Sequence, residues 1–230
     1  MKTIFIVGAP KSGTTLLTQK LISKFELDYV SNLTARFWKK PSQGIKITKK
    51  LFPTERKRKF INFKSNFGIT EGLLNVHEFG YFWNYWLNPK NSKSQRMSIF
   101  RRKKFKKKDF INFINKEIFS YSKKNFIFKN LQCGLNAKIL NDVLDCVFIR
   151  IKRDESEIFK SLKKEYIKKN IFNSNILISL RPSTYPSGFK NLNGKKKILK
   201  QIKDINLDLD EELLDLRVIE IKFKDLIANE

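Results

Sequence analysis

Ile4-Phe5-Ile6-Val7-Gly8-Ala9-Pro10-Lys11-Ser12-Gly13-Thr14-Thr15 decides the fold of this chain. Its first four residues are β-branched or aromatic and uncharged, the pattern of a strand buried on both faces of a parallel sheet. Gly8, Pro10 and Gly13 supply a sharp turn. Beyond it Leu16, Leu17, Leu21 and Ile22 recur at helical spacing, with Lys20 and Lys24 on the other side. The element reads as strand, tight loop, helix. The first backbone N–H groups of such a helix have no intrahelical partners, and the macrodipole adds about +0.5 charge there. Glycine lets the backbone wrap closely around a phosphate, Ser12, Thr14 and Thr15 add hydroxyls, and Lys11 adds a mobile cation.

The loop differs from that of nucleotide-triphosphate enzymes, where lysine directly follows the second glycine and reaches the β- and γ-phosphates beside Mg²⁺. Thr14 stands at that position, and the lysine has moved to Lys11. This displacement argues against kinase chemistry, which stays as the alternative among enzymes.

A second anion site is expected downstream. Cys146-Val147-Phe148-Ile149-Arg150-Ile151 reads as a buried strand, followed by Arg153 and, eight residues later, Ser161 near the start of a helix over 156–170. Arginine presents a planar fork of donors suited to phosphate.

Together these residues resemble the sulfotransferases that use 3′-phosphoadenosine 5′-phosphosulfate (PAPS). Pro10-Lys11-Ser12-Gly13-Thr14-Thr15 is similar to their 5′-phosphosulfate loop, and Arg153 with Ser161 to the pair that holds the 3′-phosphate. The usual proline two positions after the arginine is replaced by Glu155. The resemblance implies a three-layer α/β/α fold with a central parallel sheet, PAPS as co-substrate and no metal. It makes Lys11 the cation at the leaving phosphate, with Lys11, Ser12, Gly13, Thr14, Thr15, Arg153 and Ser161 as donor-binding residues.

For the base that takes the acceptor's proton, His77-Glu78-Phe79-Gly80-Tyr81-Phe82-Trp83 stands out. His77 is the only histidine in the chain. Glu78 opens a pattern resembling the Lys-Glu-x-x-Phe-Phe segment of carbohydrate sulfotransferases, where the glutamate is the base, although His replaces Lys here. Both residues remain candidates, and they are expected on a helix whose Phe79, Phe82, Trp83 and Trp86 also read as a core face. Lys129-Asn130 is similar to a Lys-Thr-His segment of cytosolic members, with Leu131 where their base histidine would stand, so Lys129 is expected as a second cation. Asn32 to Trp38 resembles a segment of bacterial members, which points Arg36 toward an acceptor or the base. The turn-rich loop Arg181 to Gly188 is a loose counterpart of the loop that covers the 3′-phosphate. Trp38, Tyr81, Trp83 and Trp86 suit a carbohydrate acceptor.

At 230 residues the chain is read as one domain over 1–230, with lysine-rich insertions near 38–68 and 88–108. No apolar run approaches the ~20 residues of a membrane helix. Cys133 and Cys146 lie in apolar stretches without metal-like spacing, as buried thiols of a cytoplasmic protein do. The formal net charge is +26, yet only ten of the 48 basic residues are arginine. Such a field attracts anionic ligands. Arg101 to Lys108 is the strongest basic cluster, which keeps a nucleic-acid-binding protein as an alternative, although a solvated helix start reads better. Strands are further predicted over 27–30, 126–131 and 218–223, and helices over 136–144 and from Gly194 to about Asp208.

Overall fold

The computed structural model describes residues 2–52, 61–66, 68–87 and 93–228. Parts of both lysine-rich segments, 53–60 and 88–92, lie outside the described residues. Five strands form the sheet: β1 Thr3–Gly8, β2 Asp28–Tyr29, β3 Phe126–Lys129, β4 Cys146–Lys152 and β5 Val218–Lys222. Their order is β2-β3-β1-β4-β5, and every pairing is parallel. The expected α/β fold with helices on both faces is observed.

The most hydrophobic strand takes the centre. Phe5 is in register with Phe128 on one side and Phe148 on the other. The three rings stack across the strands at centroid distances of 5.6 and 5.5 Å. Trp83 closes this row edge-on, 5.7 Å from Phe5, a favoured aromatic geometry. Residues alternate across the pleat, so Phe5 and Val7 face one core while Ile6 faces the other.

Helix α1 Thr14–Lys24 covers the Ile6 face through Leu17 and Ile22. In chain order there follow α2 Pro41–Leu51, α3 Gly80–Leu87, α4 Lys107–Glu117, α5 Glu155–Lys168, α6 Gly194–Leu213 and α7 Phe223–Ala228. The segment near 38–68, expected as a polar insertion, holds α2, whose Pro41, Gly44, Ile45 and Thr48 are buried. Its apolar residues recur at helical spacing between lysines. The basic cluster is likewise structured. Arg101 donates to the Leu87 carbonyl and Arg102 to Glu212, so two of its cations are turned inward.

Element boundaries shift where polar side chains capture the backbone. β3 ends at Lys129 rather than 131 because Asn130 caps the short helix Leu131–Gly134, accepting the Gln132 N–H. The helix predicted over 136–144 is shorter, Ala137–Asn141, and a second short helix, Leu131–Gly134, comes before it. Asn136 interrupts them, donating to the Gln95 and Gln132 carbonyls. α6 runs on to Leu213 because its buried apolar face continues through Leu209 and Leu213, and a polar stripe of Lys197, Gln201, Asp204 and Asp208 is buried beside it. Lys197 donates to the carbonyls of Ile171, Phe172 and Ser174, Gln201 to those of Ile178 and Leu180, and Asp208 accepts from Ser183. That stripe fastens the segment 171–184 to the body, including the start of the turn-rich loop. Among the described residues no helix is long and apolar enough to cross a membrane.

Candidate functional site

β1 and β4 are neighbours, with Gly8 opposite Ile151. The chain leaves β1 toward α1 on the Ile6 face. It leaves β4 toward α5 on the Phe5 face, where Ile158, Leu162 and Tyr166 are buried. Adjacent strands whose connections diverge to opposite faces open a crevice beyond their carboxyl ends, the usual place for a ligand in such sheets.

The loop Gly8 to Thr15 fills that crevice's floor. Gly13 has φ 102°, and a Cβ there would stand 2.5 Å from the Phe223 ring. Lys11 has φ 66°, an uncommon conformation for a residue with a side chain. Among the described residues no side chain caps the N-terminus of α1, and its first turn carries no acid, which leaves the positive end of the helix open to an anion. Ser12 Oγ is buried with no hydrogen-bond partner among the described residues. A buried orphan hydroxyl is costly, and a phosphate oxygen would relieve it. The donor set therefore fits an anion.

Arg153, directly after β4, reaches into this loop. Its Nη1 donates to the Lys11 carbonyl at 3.0 Å and its Nε to Glu157 at 2.8 Å. The guanidinium lies 4.2 Å over the Phe223 ring. Two of its five N–H donors are engaged in these bonds, which leaves part of the fork for a phosphate. Asp154 caps α5 by accepting the Ser156 and Glu157 N–H groups. Ser161 is half-buried on α5, one turn before Glu165. The Glu165 carboxylate stands 3.5 Å from Lys11 Nζ. The sequence reading missed Glu165 and Phe223. Helical spacing from Ser161 pointed to the first, whereas Phe223 was placed at the end of a strand and instead begins α7.

On the other side of β1, Lys129 ends β3 in register with Ile6. Its side chain is buried and paired with Glu78, whose carboxylate is partly exposed. Burial pulls the Lys129 ammonium below its ordinary range, and Glu78 opposes that pull. Asn130 Nδ2 donates to the Glu78 carbonyl at 3.0 Å. Gly68, at φ 80°, comes so close that a Cβ there would stand 2.7 Å from Glu78 Oε1.

His77 and Glu78 do not share a helix, contrary to expectation. α3 begins only at Gly80, after Phe79 at φ 56°. The buried rings of Phe79 and Phe82, stacked with centroids 4.5 Å apart, pin this segment. His77 Nδ1 accepts the Phe79 N–H at 2.8 Å, and burial lowers the imidazole pKa. The ring is thus neutral at pH 7 with its proton on Nε2, and its lone pair is turned to the backbone. A cleft of about 220 Å³ opens between Gly68, His77, Glu78, Tyr81 and Asn84.

Of the candidate sugar-stacking residues, Trp83 is fully buried core. Trp38 instead stacks on Tyr81 at 6.3 Å and meets Tyr85 at a tilt, 5.9 Å away. A second cleft of about 590 Å³ follows, walled by Trp38, Phe82, Tyr85, Trp86 and Phe113. Arg36 is exposed at the end of the short helix Asn32–Ala35. Arg181 is tied to residues 93 and 95 by hydrogen bonds. Cys133 and Cys146 are free, buried thiols with raised pKa values.

No family model matches the chain, and no curated protein matches it. Among solved structures it is similar to a sulfotransferase domain from the curacin biosynthetic pathway, at 10% sequence identity and a TM-score of 0.46. The match covers 99% of this chain and 69% of that domain's chain.

Proposed function

We propose that the chain is a PAPS-dependent sulfotransferase, a single domain moving a sulfuryl group to a hydroxyl or amine acceptor. One observation carries the reading: an uncapped, glycine-turned anion loop with its lysine at Lys11 meets Arg153 from the adjacent strand, in the chain order that a two-ended donor requires. In this reading the α1 N-terminus, Ser12, Gly13, Thr14 and Thr15 hold the 5′ end of the donor. Arg153 and Ser161 hold its 3′-phosphate, and Lys11 stabilises charge on the leaving phosphate. The acceptor attacks sulfur in line while Glu78, beside Lys129, takes its proton. His77 is the weaker base, because its lone pair already accepts the Phe79 N–H.

The acceptor is proposed to be a carbohydrate, its reacting hydroxyl at Glu78 and its rings along Tyr81, Trp38 and Tyr85. In support, the apolar residues of the larger cleft are all aromatic, with Lys39 and Asp109 among its lining to meet hydroxyls. The two buried free thiols support a reducing, cytoplasmic location.

A thermal-shift comparison tests the donor. Saturating 3′-phosphoadenosine 5′-phosphate, at ~100 times its dissociation constant, is expected to stabilise the fold by about 2.7 kcal/mol. ATP with Mg²⁺ is expected to do much less, and the opposite ranking returns the chain to the kinases.

A further inference from the structure

We infer that Glu165 sets the donor affinity of this site by holding Lys11, which makes it a positioning residue that a phosphate must displace. The inference rests on reading the Gly8–Thr15 loop as the donor's 5′ site. A carboxylate beside an anion cradle opposes the ligand the cradle serves. This chain carries 48 basic residues against 22 acidic ones, so acid at that place is conspicuous. Glu165 Oε1 lies 3.5 Å from Lys11 Nζ, and both side chains are largely shielded, at 16% and 23% exposure.

The rest of the loop explains the arrangement. Lys11 has a left-handed backbone, and Arg153 grips its carbonyl at 3.0 Å. Both grips come from the β4–α5 segment: Arg153 just before α5 fixes the Lys11 backbone, and Glu165 farther along α5 fixes its ammonium. The cation is thereby held ready at one place before any donor arrives. Glu165 follows Ser161 by four residues, so both lie on the same face of α5. A donor spanning Arg153, Ser161 and the loop would therefore pass this carboxylate and draw Lys11 Nζ from it. Each binding event then includes the loss of a shielded ion pair, which weakens the donor's affinity without altering the loop itself.

The experiment is a double-mutant cycle read by calorimetric titration with 3′-phosphoadenosine 5′-phosphate, using the full chain as the parent, Glu165→Gln, Lys11→Met and the double variant. Glu165→Gln is isosteric, and its melting temperature checks the fold. The expected result is a five- to tenfold lower dissociation constant for Glu165→Gln, with an effect under about twofold in the Lys11→Met background. Glu165→Asp, which retracts the charge by one methylene, should fall between parent and Glu165→Gln. Unchanged or weakened binding in Glu165→Gln overturns the inference. So does an equal gain in the Lys11→Met background, because the carboxylate would then act on the anion directly. If the parent itself fails to bind the nucleotide, the donor reading fails and the inference with it.

Discussion

The two sides of β1 place their chemistry by different means. Toward β4, the anion loop and Arg153 follow directly from the ends of neighbouring strands, so sheet pairing alone puts them side by side. Toward β3, Glu78 comes from a stretch outside any helix or strand, about fifty residues before the lysine it pairs with. Its place depends on the buried rings of α3, on Asn130 and on the close approach of Gly68. A site built from strand ends inherits its geometry from backbone hydrogen bonds. One built from a packed loop must be fixed by side chains.

The proposed roles are tested by substitutions that break this contrast, beginning with the largest effect. On the β3 side, Glu78→Gln should lower turnover by about 10²- to 10⁴-fold, the span of a positioned base. Donor affinity should stay within threefold of the parent in the same titrations, and a large loss of affinity would show that the two sides are not separable. On the β4 side, Lys11→Ala should lower turnover by about 10²-fold or more, and near-normal turnover removes it from the leaving-group role.

Gly13→Ala tests the backbone origin of the donor side. A left-handed alanine costs about 1–3 kcal/mol, and here its Cβ would also meet the Phe223 ring. Donor affinity is expected to fall by about tenfold in titration. Unchanged affinity would mean the loop is less rigid than its pairing implies.

Lys197→Met reaches neither side. It takes a shared donor from three carbonyls, of which the Phe172 carbonyl keeps the Gly194 N–H and the Ile171 carbonyl the Ser174 N–H, so urea unfolding should show a loss of about 1–3 kcal/mol. Donor affinity of the folded variant should not change.

The smallest effect is expected at His77. Burial lowers its folded pKa below 6.5. The unfolded chain therefore binds the proton first as pH falls through 6.5, and the fold weakens below that value. His77→Ala should flatten this acid limb in melts between pH 5 and 7, with turnover at pH 7.5 within threefold of the parent. A larger loss of turnover would restore His77 as the base.

The sequence could be read wherever local chemistry and backbone period agree. Ile4 to Thr15 announced strand, loop and helix, and Cys146 to Ser161 announced a second such unit, because burial on both faces, turn glycines and helix starts all act over a few residues. It failed where a side chain reaches far along the chain. His77 and Glu78 were placed on a helix because the aromatic spacing of Phe79, Phe82 and Trp83 is helical, yet Phe79 adopts φ 56° and the helix waits for Gly80. Trp83 looked as fit for a sugar as Trp38. Only its place against Phe5 and Phe128 in the core separates them.

By itself, then, the sequence determined the parallel α/β sheet and the anion loop with its displaced lysine, since these depend on residue type at short spacing. Tertiary structure decided that Lys11 is held by Glu165, that Phe223 lies between Gly13 and Arg153, and that Glu78 meets Lys129. Those contacts join residues between 51 and 210 positions apart, bounded by the Glu78–Lys129 and Gly13–Phe223 pairs. No local preference encodes them, because they exist only once the strands have paired and the cores on both faces have closed.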